Sequence, residues 1–141
     1  MRLAYAVFCS RVENQEKGRM DLLEVATSLD LEIRWQGPEG APPPPRVPLN
    51  TVLAASLIDG APGQHRFEVS IRMPRGDRKT VGTFAQFDWP EGVPIHLLTV
   101  NLEMQIEPRD GTWEFLLAVD GRHVGTVPLI ITFDIERDPA G

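Results

Sequence analysis

The sequence predicts an all-β fold: a single antiparallel β-sandwich of about eight strands, immunoglobulin-like or jelly-roll in connectivity, with little helix. Three observations lead to this expectation. Apolar and polar residues alternate over several segments, turn residues separate these segments, and 12 glycines and 13 prolines leave little room for long helices. With 141 residues the chain has the length of one domain, so residues 1–141 are expected to form one sandwich.

The alternation is clearest in two segments. In His65–Met73 the apolar residues stand at odd positions and the polar residues at even positions, whereas in Ile95–Ile106 the apolar residues from Leu98 onward are even. A period of two places all the apolar side chains on one face of a strand, whereas a helix would scatter them around its axis. Both segments are therefore predicted to be strands with one buried face.

The C-terminal part of the chain predicts a β-hairpin. Trp113 begins an apolar alternation, and the following Asp120-Gly121 favours a two-residue turn into a return strand. In the return strand the inward-facing positions change from even to odd residue numbers before Leu129. A bulge or break is therefore predicted between Gly125 and Pro128.

Four further segments contain enough apolar residues to form strands between turns. These are Leu3–Cys9, Met20–Thr27, Val47–Ile58 and Thr80–Asp88. The segment Thr27–Trp35 is ambiguous and could hold a short helix. Residues 37–48 contain four consecutive prolines and are expected to form a long, extended loop within the domain.

Charge and cysteine content narrow the expected partners and location. The net charge of −6 is spread along the chain and repels phosphate backbones, so nucleic-acid binding is not expected. The single cysteine, Cys9, excludes a disulfide within the chain and fits a reducing compartment. The apolar start Leu3–Cys9 is too short to span a membrane and is a poor signal peptide. We therefore expect a cytoplasmic protein that binds neither nucleic acid nor a membrane.

Sequence motifs assign no catalytic residue and no cofactor, since GxSxG, GxGxxG, P-loop, HExxH and CxxC patterns do not occur. His65 and His96 each lie near a strand start, on the same strand face as the apolar residues that follow. Two imidazoles that meet at one end of a sandwich could bind zinc or transfer protons. Their spacing has no metal-ligand signature, so the favoured interpretation is that each is a strand-end histidine with one hydrogen bond.

Trp35 and Trp89 are the candidate ligand- or partner-binding residues. Trp35 begins the proline-rich loop and is the best candidate for an exposed anchor, whereas Trp89 is expected to be half exposed at a strand end. Trp113, by contrast, begins an inward-facing alternation and is predicted to lie in the core. A shared site for Trp35 and Trp89 would suit a sugar or a small molecule.

Short motifs at both ends of the chain follow a recognisable order. The segments are Tyr5-Ala6-Val7-Phe8, Lys17-Gly18-Arg19, Leu22-Leu23-Glu24-Val25, Gly111-Thr112-Trp113-Glu114-Phe115, Val119-Asp120-Gly121 and Val127-Pro128-Leu129. Together they resemble a family of small bacterial proteins known only as a domain of unknown function. In this chain Trp113 stands where the family pattern has tyrosine, and Glu24 and Val25 stand where a small residue is common. The resemblance implies a β-sandwich and implies no catalytic residues.

The function expected from these observations is a non-catalytic protein-interaction or assembly module. The final strand, which runs to Ile135, has no obvious protection against pairing with another strand until Glu136. A homodimer through this edge strand is therefore expected. Two alternatives stay open. One is a sandwich that binds a carbohydrate or small molecule through Trp35 and Trp89, and the other is an enzyme or metalloprotein that uses His65 and His96.

Overall fold

The computed structural model describes residues 1–16, 18–76 and 79–138, which form ten strands and no helix. The strands are β1 (Arg2–Cys9), β2 (Arg11–Glu16), β3 (Arg19–Leu23), β4 (Ser28–Gln36), β5 (Val47–Ile58), β6 (Gly63–Arg72), β7 (Lys79–Trp89), β8 (Ile95–Ile106), β9 (Gly111–Val119) and β10 (Arg122–Asp138). The predicted all-β fold is confirmed. No helix in the described part of the chain is long and apolar enough to cross a membrane.

The strands form a sandwich of two main sheets and a small third sheet. One main sheet has the order β4-β10-β9-β6-β7, the other has the order β1-β5-β8, and β2 pairs with β3. The chain changes sheet between β5 and β6, between β7 and β8, and again between β8 and β9. Exchanges of this kind are the Greek-key connections of β-sandwiches, and they occur in immunoglobulin-like folds and in jelly rolls.

The ambiguous segment Thr27–Trp35 is a strand, and it belongs to a different sheet from β1. β4 pairs in parallel with β10, whereas β1 pairs antiparallel with β5, and the β2–β3 hairpin lies between them in sequence. Half-buried Leu29, Leu31 and Ile33 alternate with exposed residues along β4. This period of two explains why the segment does not form a helix.

The core lies between the inner faces of the two main sheets. Its largest fully buried side chains are Trp89, Trp113, Phe8, Phe67 and Phe115. Phe8 of β1 meets Phe115 of β9 edge to face, with ring centroids 4.8 Å apart, an arrangement that aromatic pairs favour. The prediction that Trp113 lies in the core is confirmed.

Trp113 also fastens the turn that precedes β9. Its indole Nε1–H donates a hydrogen bond to the carbonyl oxygen of Arg109, four residues upstream, at 2.9 Å. In immunoglobulin domains a tyrosine near the start of the corresponding strand bonds back to the upstream backbone in a similar way. The indole of Trp113 therefore provides the same connection with a different donor.

The predicted position of the irregularity in β10 needs correction. The register shift lies between His123 and Gly125, ahead of the predicted position. Gly125 itself lies in the ladder, where its missing side chain allows close packing: an added Cβ would be 2.6 Å from the Leu3 side chain. In the sheet order β10 lies between β9 and β4, but only Ile130 and Ile131 pair on both sides, because β9 pairs with residues 122–131 and β4 pairs with residues 130–138. The expected homodimer through the final strand therefore stays a prediction.

Candidate functional site

Three connections and the start of β1 meet at one end of the sandwich, called the loop end below. The connections are the β5–β6 loop (59–62), the β7–β8 loop (90–94) and the β9–β10 turn (120–121). The Asp59 N–H donates to the Pro94 carbonyl oxygen at 3.4 Å, and the Arg2 guanidinium contacts the Asp59 carboxylate at 2.7 Å. Loops positioned by a rigid sandwich are where binding residues concentrate.

His65 at the loop end has an acceptor opposite each ring nitrogen. Nδ1 lies 2.6 Å from Oδ2 of Asp120, and Nε2 lies 2.7 Å from the carbonyl oxygen of Ala61. A carboxylate and a carbonyl oxygen can only accept, so both bonds form when both nitrogens carry a proton. The hydrogen bond to Ala61 and then the one to Asp120 raise the pKa of His65 above its ordinary value.

Asp120 joins the β9–β10 turn to β6. Its N–H donates to the Arg66 carbonyl oxygen at 2.9 Å, and its Oδ1 accepts from the Arg66 N–H at 2.8 Å. The hydrogen bonds from His65 and from the Arg66 N–H hold the pKa of Asp120 below its ordinary value. The φ of Asp120 is 51°, a left-handed conformation that aspartate tolerates better than most residues. The turn is therefore held in place by backbone and side-chain bonds together.

The ring of Phe87 stacks on both histidines. Its centroid lies 5.5 Å from that of His65 and 5.0 Å from that of His96. Burial lowers the pKa of His96, so this imidazole favours the neutral form. The loop end thus combines one imidazole whose pKa is raised with one whose pKa is lowered.

The structure brings His65 and His96 to the same end without forming a metal site from the residues it describes. Both nitrogens of His65 already face acceptors, so neither offers a lone pair to a metal ion. Groups of three or more potential metal ligands do not occur within residues 1–16, 18–76 and 79–138. The third histidine, His123, is exposed on β10 and lies near Thr126.

Trp89 lies beneath the loop end, and the expectation that it is half exposed is wrong. Only 1% of the residue is exposed, and its indole Nε1–H donates to the Val93 carbonyl oxygen at 2.8 Å. Gly60 explains the burial, because a Cβ at that position would lie 2.4 Å from the indole ring. The missing side chain lets the β5–β6 loop close over the ring.

Trp35 lies far from Trp89 in the sheet. Trp35 is on β4 and Trp89 on β7, which are the opposite edges of the five-stranded sheet. Trp35 pairs with Arg137 near the end of β10, whereas Trp89 pairs with Gly63 at the start of β6. The half-buried ring of Trp35 packs on Gly37, where an added Cβ would lie 2.5 Å from the ring. The structure therefore does not bring the two tryptophans together in a shared site for a sugar.

Sequence analysis missed an exposed aromatic side chain on the outer face of the five-stranded sheet. Phe84 of β7 is 52% exposed, and the guanidinium carbon of Arg66 lies 3.9 Å from its ring centroid. Phe84 lies on the same face of β7 as the polar residues Gln86 and Asp88. An apolar residue at a position that the alternation assigns to the polar face could have revealed this exposed side chain.

The unpaired edges of the two main sheets differ in how they are protected. β4 carries alternating charges, whereas β1 and β7 have irregular register with their neighbours. β8 pairs with β5 without a register shift from Ile95 to Ile106, and its 12 residues include one formally charged side chain, Glu103. Charges and bulges are the usual protection of an edge strand. β8 is therefore the least protected of the four edges.

Comparison with known proteins adds the fold and no assigned activity. No family model and no curated protein matches the chain, which is consistent with its resemblance to an uncharacterised family. Among solved structures, the chain is similar to a β-glucosidase from Listeria innocua in complex with glucose, with a TM-score of 0.50 and 10% identity. The structure of that enzyme with isofagomine has a TM-score of 0.49 at 10% identity. A structure without a named ligand has a TM-score of 0.49 at 12% identity. Each similarity covers 94% of this chain and 17% of the β-glucosidase chain.

Proposed function

We propose that the protein is a non-catalytic assembly module that associates with a second copy of itself through β8. The observation that carries the proposal is the long, regular and weakly charged edge of this strand. Along residues 95–106, β8 is paired with β5 on one side only. An unpaired row of backbone N–H and C=O groups is a template for another strand, and antiparallel pairing with a copy of itself closes as a two-fold dimer.

The sequence of β8 suits antiparallel pairing about a two-fold axis at Asn101. That axis would place Thr99 opposite Glu103 of the second copy, so the two glutamates do not face each other. Inward-facing residues Val100 and Leu102 would also meet residues of the same parity, which continues the buried face across the pair. Like charges directly opposite destabilise a strand pair, and this register avoids them.

Light scattering over a micromolar to millimolar concentration series tests the proposal. The wild-type mass should rise from that of one chain toward that of two. Asn101→Lys should weaken the association at least tenfold, because two ammonium groups would meet at the axis. Asn50→Lys is the matched control, since Asn50 is equally an exposed asparagine but lies on the central strand β5.

Two results would contradict the proposal. A wild-type protein that stays monomeric at millimolar concentration does not use this edge. An association that Asn50→Lys weakens as much as Asn101→Lys responds to general charge rather than to the β8 edge.

The exposed pair of Phe84 and Arg66 favours a second candidate function, the binding of a different protein. Phenylalanine and arginine are among the residues enriched at interfaces, and here the guanidinium is already placed over the ring. Affinity capture from the host with the wild type, Phe84→Ala and Thr112→Ala tests this candidate. Thr112 is also exposed, but lies on the central strand β9. A partner that Phe84→Ala loses and Thr112→Ala retains supports it, and a partner retained by both variants contradicts it.

A further inference from the structure

A cleft of about 300 Å³ lies between the two main sheets at the end opposite the loop end. The last residues of β6 and β8 and the first residues of β7 and β9 meet there. Among the side chains that the structure describes, five apolar ones line it: Ile71, Met73, Met104, Ile106 and Trp113. Three lining residues, Met104, Gln105 and Ile106, belong to β8, the strand of the proposed dimer, so ligand binding is tested at a protein concentration at which the chain is monomeric.

A bulge in β7 borders the cleft. The pairing of β6 with β7 changes register between Val69–Thr83 and Ser70–Val81, which leaves Gly82 as the extra residue. A Cβ on Gly82 would lie 2.8 Å from Cδ1 of Ile71, so a larger residue would push against the cleft wall. Bulges occur frequently beside functional sites, where they interrupt the pairing of a strand.

The inner walls of the cleft are suited to an apolar group. Trp113 is only 1% exposed and its indole N–H is bonded to the Arg109 carbonyl oxygen, so it backs the cleft wall without offering a polar group. Met73 and Met104 are half buried, and their flexible thioether side chains can adjust to the shape of a bound molecule. Removing apolar surface from water would therefore drive binding here.

The mouth of the cleft carries a positive charge. Arg46 lines the cleft, is exposed, and joins none of the ion pairs between described residues. The acidic residue at the mouth, Glu107, contacts the Arg109 guanidinium at 3.3 Å. Arginine presents a planar set of donors that matches a carboxylate. The mouth therefore suits an anionic head group, although the net charge of the chain is −6.

We propose that this cleft binds a medium-chain aliphatic carboxylate, with the aliphatic chain against Met73 and Met104 and the carboxylate on Arg46. The volume equals about ten water molecules at about 30 Å³ each, which limits the ligand to about ten non-hydrogen atoms. Thr80 and Gln105 are at the cleft as neutral polar groups. They can bond to the head group without adding charge.

Isothermal titration with octanoate and 1-octanol, both below their aggregation limits, tests the proposal. The wild-type protein should bind one octanoate per chain and should bind octanol more weakly. Arg46→Gln should weaken octanoate about tenfold or more and leave octanol nearly unchanged, because only the charged head group loses its partner. Arg122→Gln is the matched control, since Arg122 is also exposed but lies beside the β9–β10 turn at the loop end. Phe84→Ala controls for binding to the exposed sheet face.

A second variant tests the apolar part of the cleft. Met104→Trp adds volume to the wall, so binding of both octanoate and octanol should be lost. Arg46→Gln changes an exposed side chain and remains informative if Met104→Trp does not fold. Absence of saturable octanoate binding overturns the proposal. An equal effect of Arg46→Gln and Arg122→Gln also overturns it, as does loss of binding in Phe84→Ala.

Discussion

The bond between His65 and Asp120 predicts a defined pH dependence of stability. The pKa of His65 is raised above its ordinary value of 6.5, so its contribution is complete below that pH and is lost as pH rises through the folded-state value. The pKa of Asp120 is lowered from its ordinary value of 3.8, so its contribution is present above that pH and is lost as pH falls through the folded-state value. The pair should therefore stabilise the fold most from about pH 4 to about pH 6.5.

The expected magnitude follows from the exposure of the two groups. A hydrogen bond to a charged group contributes about 1.5–3 kcal/mol. The side chain of His65 is 12% exposed but that of Asp120 is 52% exposed, so solvent screens the pair. We expect about 1–2 kcal/mol after this screening. For a domain of this length that corresponds to about 3–8 °C in Tm.

Thermal unfolding of the wild type and Asp120→Asn between pH 5 and pH 9 measures this contribution. Asparagine tolerates the φ of 51° and still offers an oxygen to the Arg66 N–H, but it removes the charge opposite His65. Asp59→Asn is the matched control, because Asp59 lies at the same end with a φ of 59° and contacts Arg2 instead of a histidine.

The comparison between variants is needed because His96 acts in the opposite direction. Its pKa is lowered by burial, so it destabilises the fold as pH falls below about 6.5. The Tm difference between the wild type and Asp120→Asn should be about 3–8 °C near pH 6 and should shrink toward pH 9. A difference that does not change with pH, or one that Asp59→Asn reproduces, would refute the reasoning.

Three further predictions concern the core. Gly60→Ala should lower the free energy of unfolding by about 1–3 kcal/mol in urea denaturation, because the added methyl meets the buried Trp89 ring. Gly125→Ala should lower it by less than about 1 kcal/mol, because the added methyl meets the flexible end of the half-buried Leu3 side chain. Trp113→Phe should cost about 1–3 kcal/mol in the same assay, because the Arg109 carbonyl oxygen loses its donor and the ring becomes smaller, and an unchanged midpoint would contradict the role of the indole N–H. Cys9 is 2% exposed and its burial raises the pKa of the thiol, so a thiol-specific reagent at pH 8 should label it far more slowly than an unfolded control; equal rates would contradict its burial.

The sequence allowed prediction of the elements whose signal is local. The alternation of apolar residues identified β6, β8 and β9, and Asp120-Gly121 identified the turn between β9 and β10. Trp113 was placed in the core because it begins such an alternation, and its burial confirms that argument. Each of these signals lies within a few residues of the chain.

The features that sequence analysis missed depend on contacts between distant residues. β4 pairs in parallel with β10 from Ile130 onward, which places the final strand between β9 and β4 in the sheet order. Trp89 is buried because Gly60, on another loop, has no side chain. His65 and Asp120 stand 55 residues apart and meet only when β6 and β9 pair. Strand order and loop packing set these three features, and periodicity determines neither.

Disulfide trapping tests the β8 association most directly. Asn101→Cys, Thr99→Cys and Glu103→Cys are placed singly along β8, and Asn50→Cys on β5 is the control. A two-fold axis at Asn101 brings the two copies of that residue to a Cα separation of about 4.5–5.5 Å, which a disulfide can span. The account predicts a covalent dimer for Asn101→Cys in preference to the other three variants under mild oxidation. A protein in which none of the β8 variants cross-links faster than Asn50→Cys would contradict association through this strand.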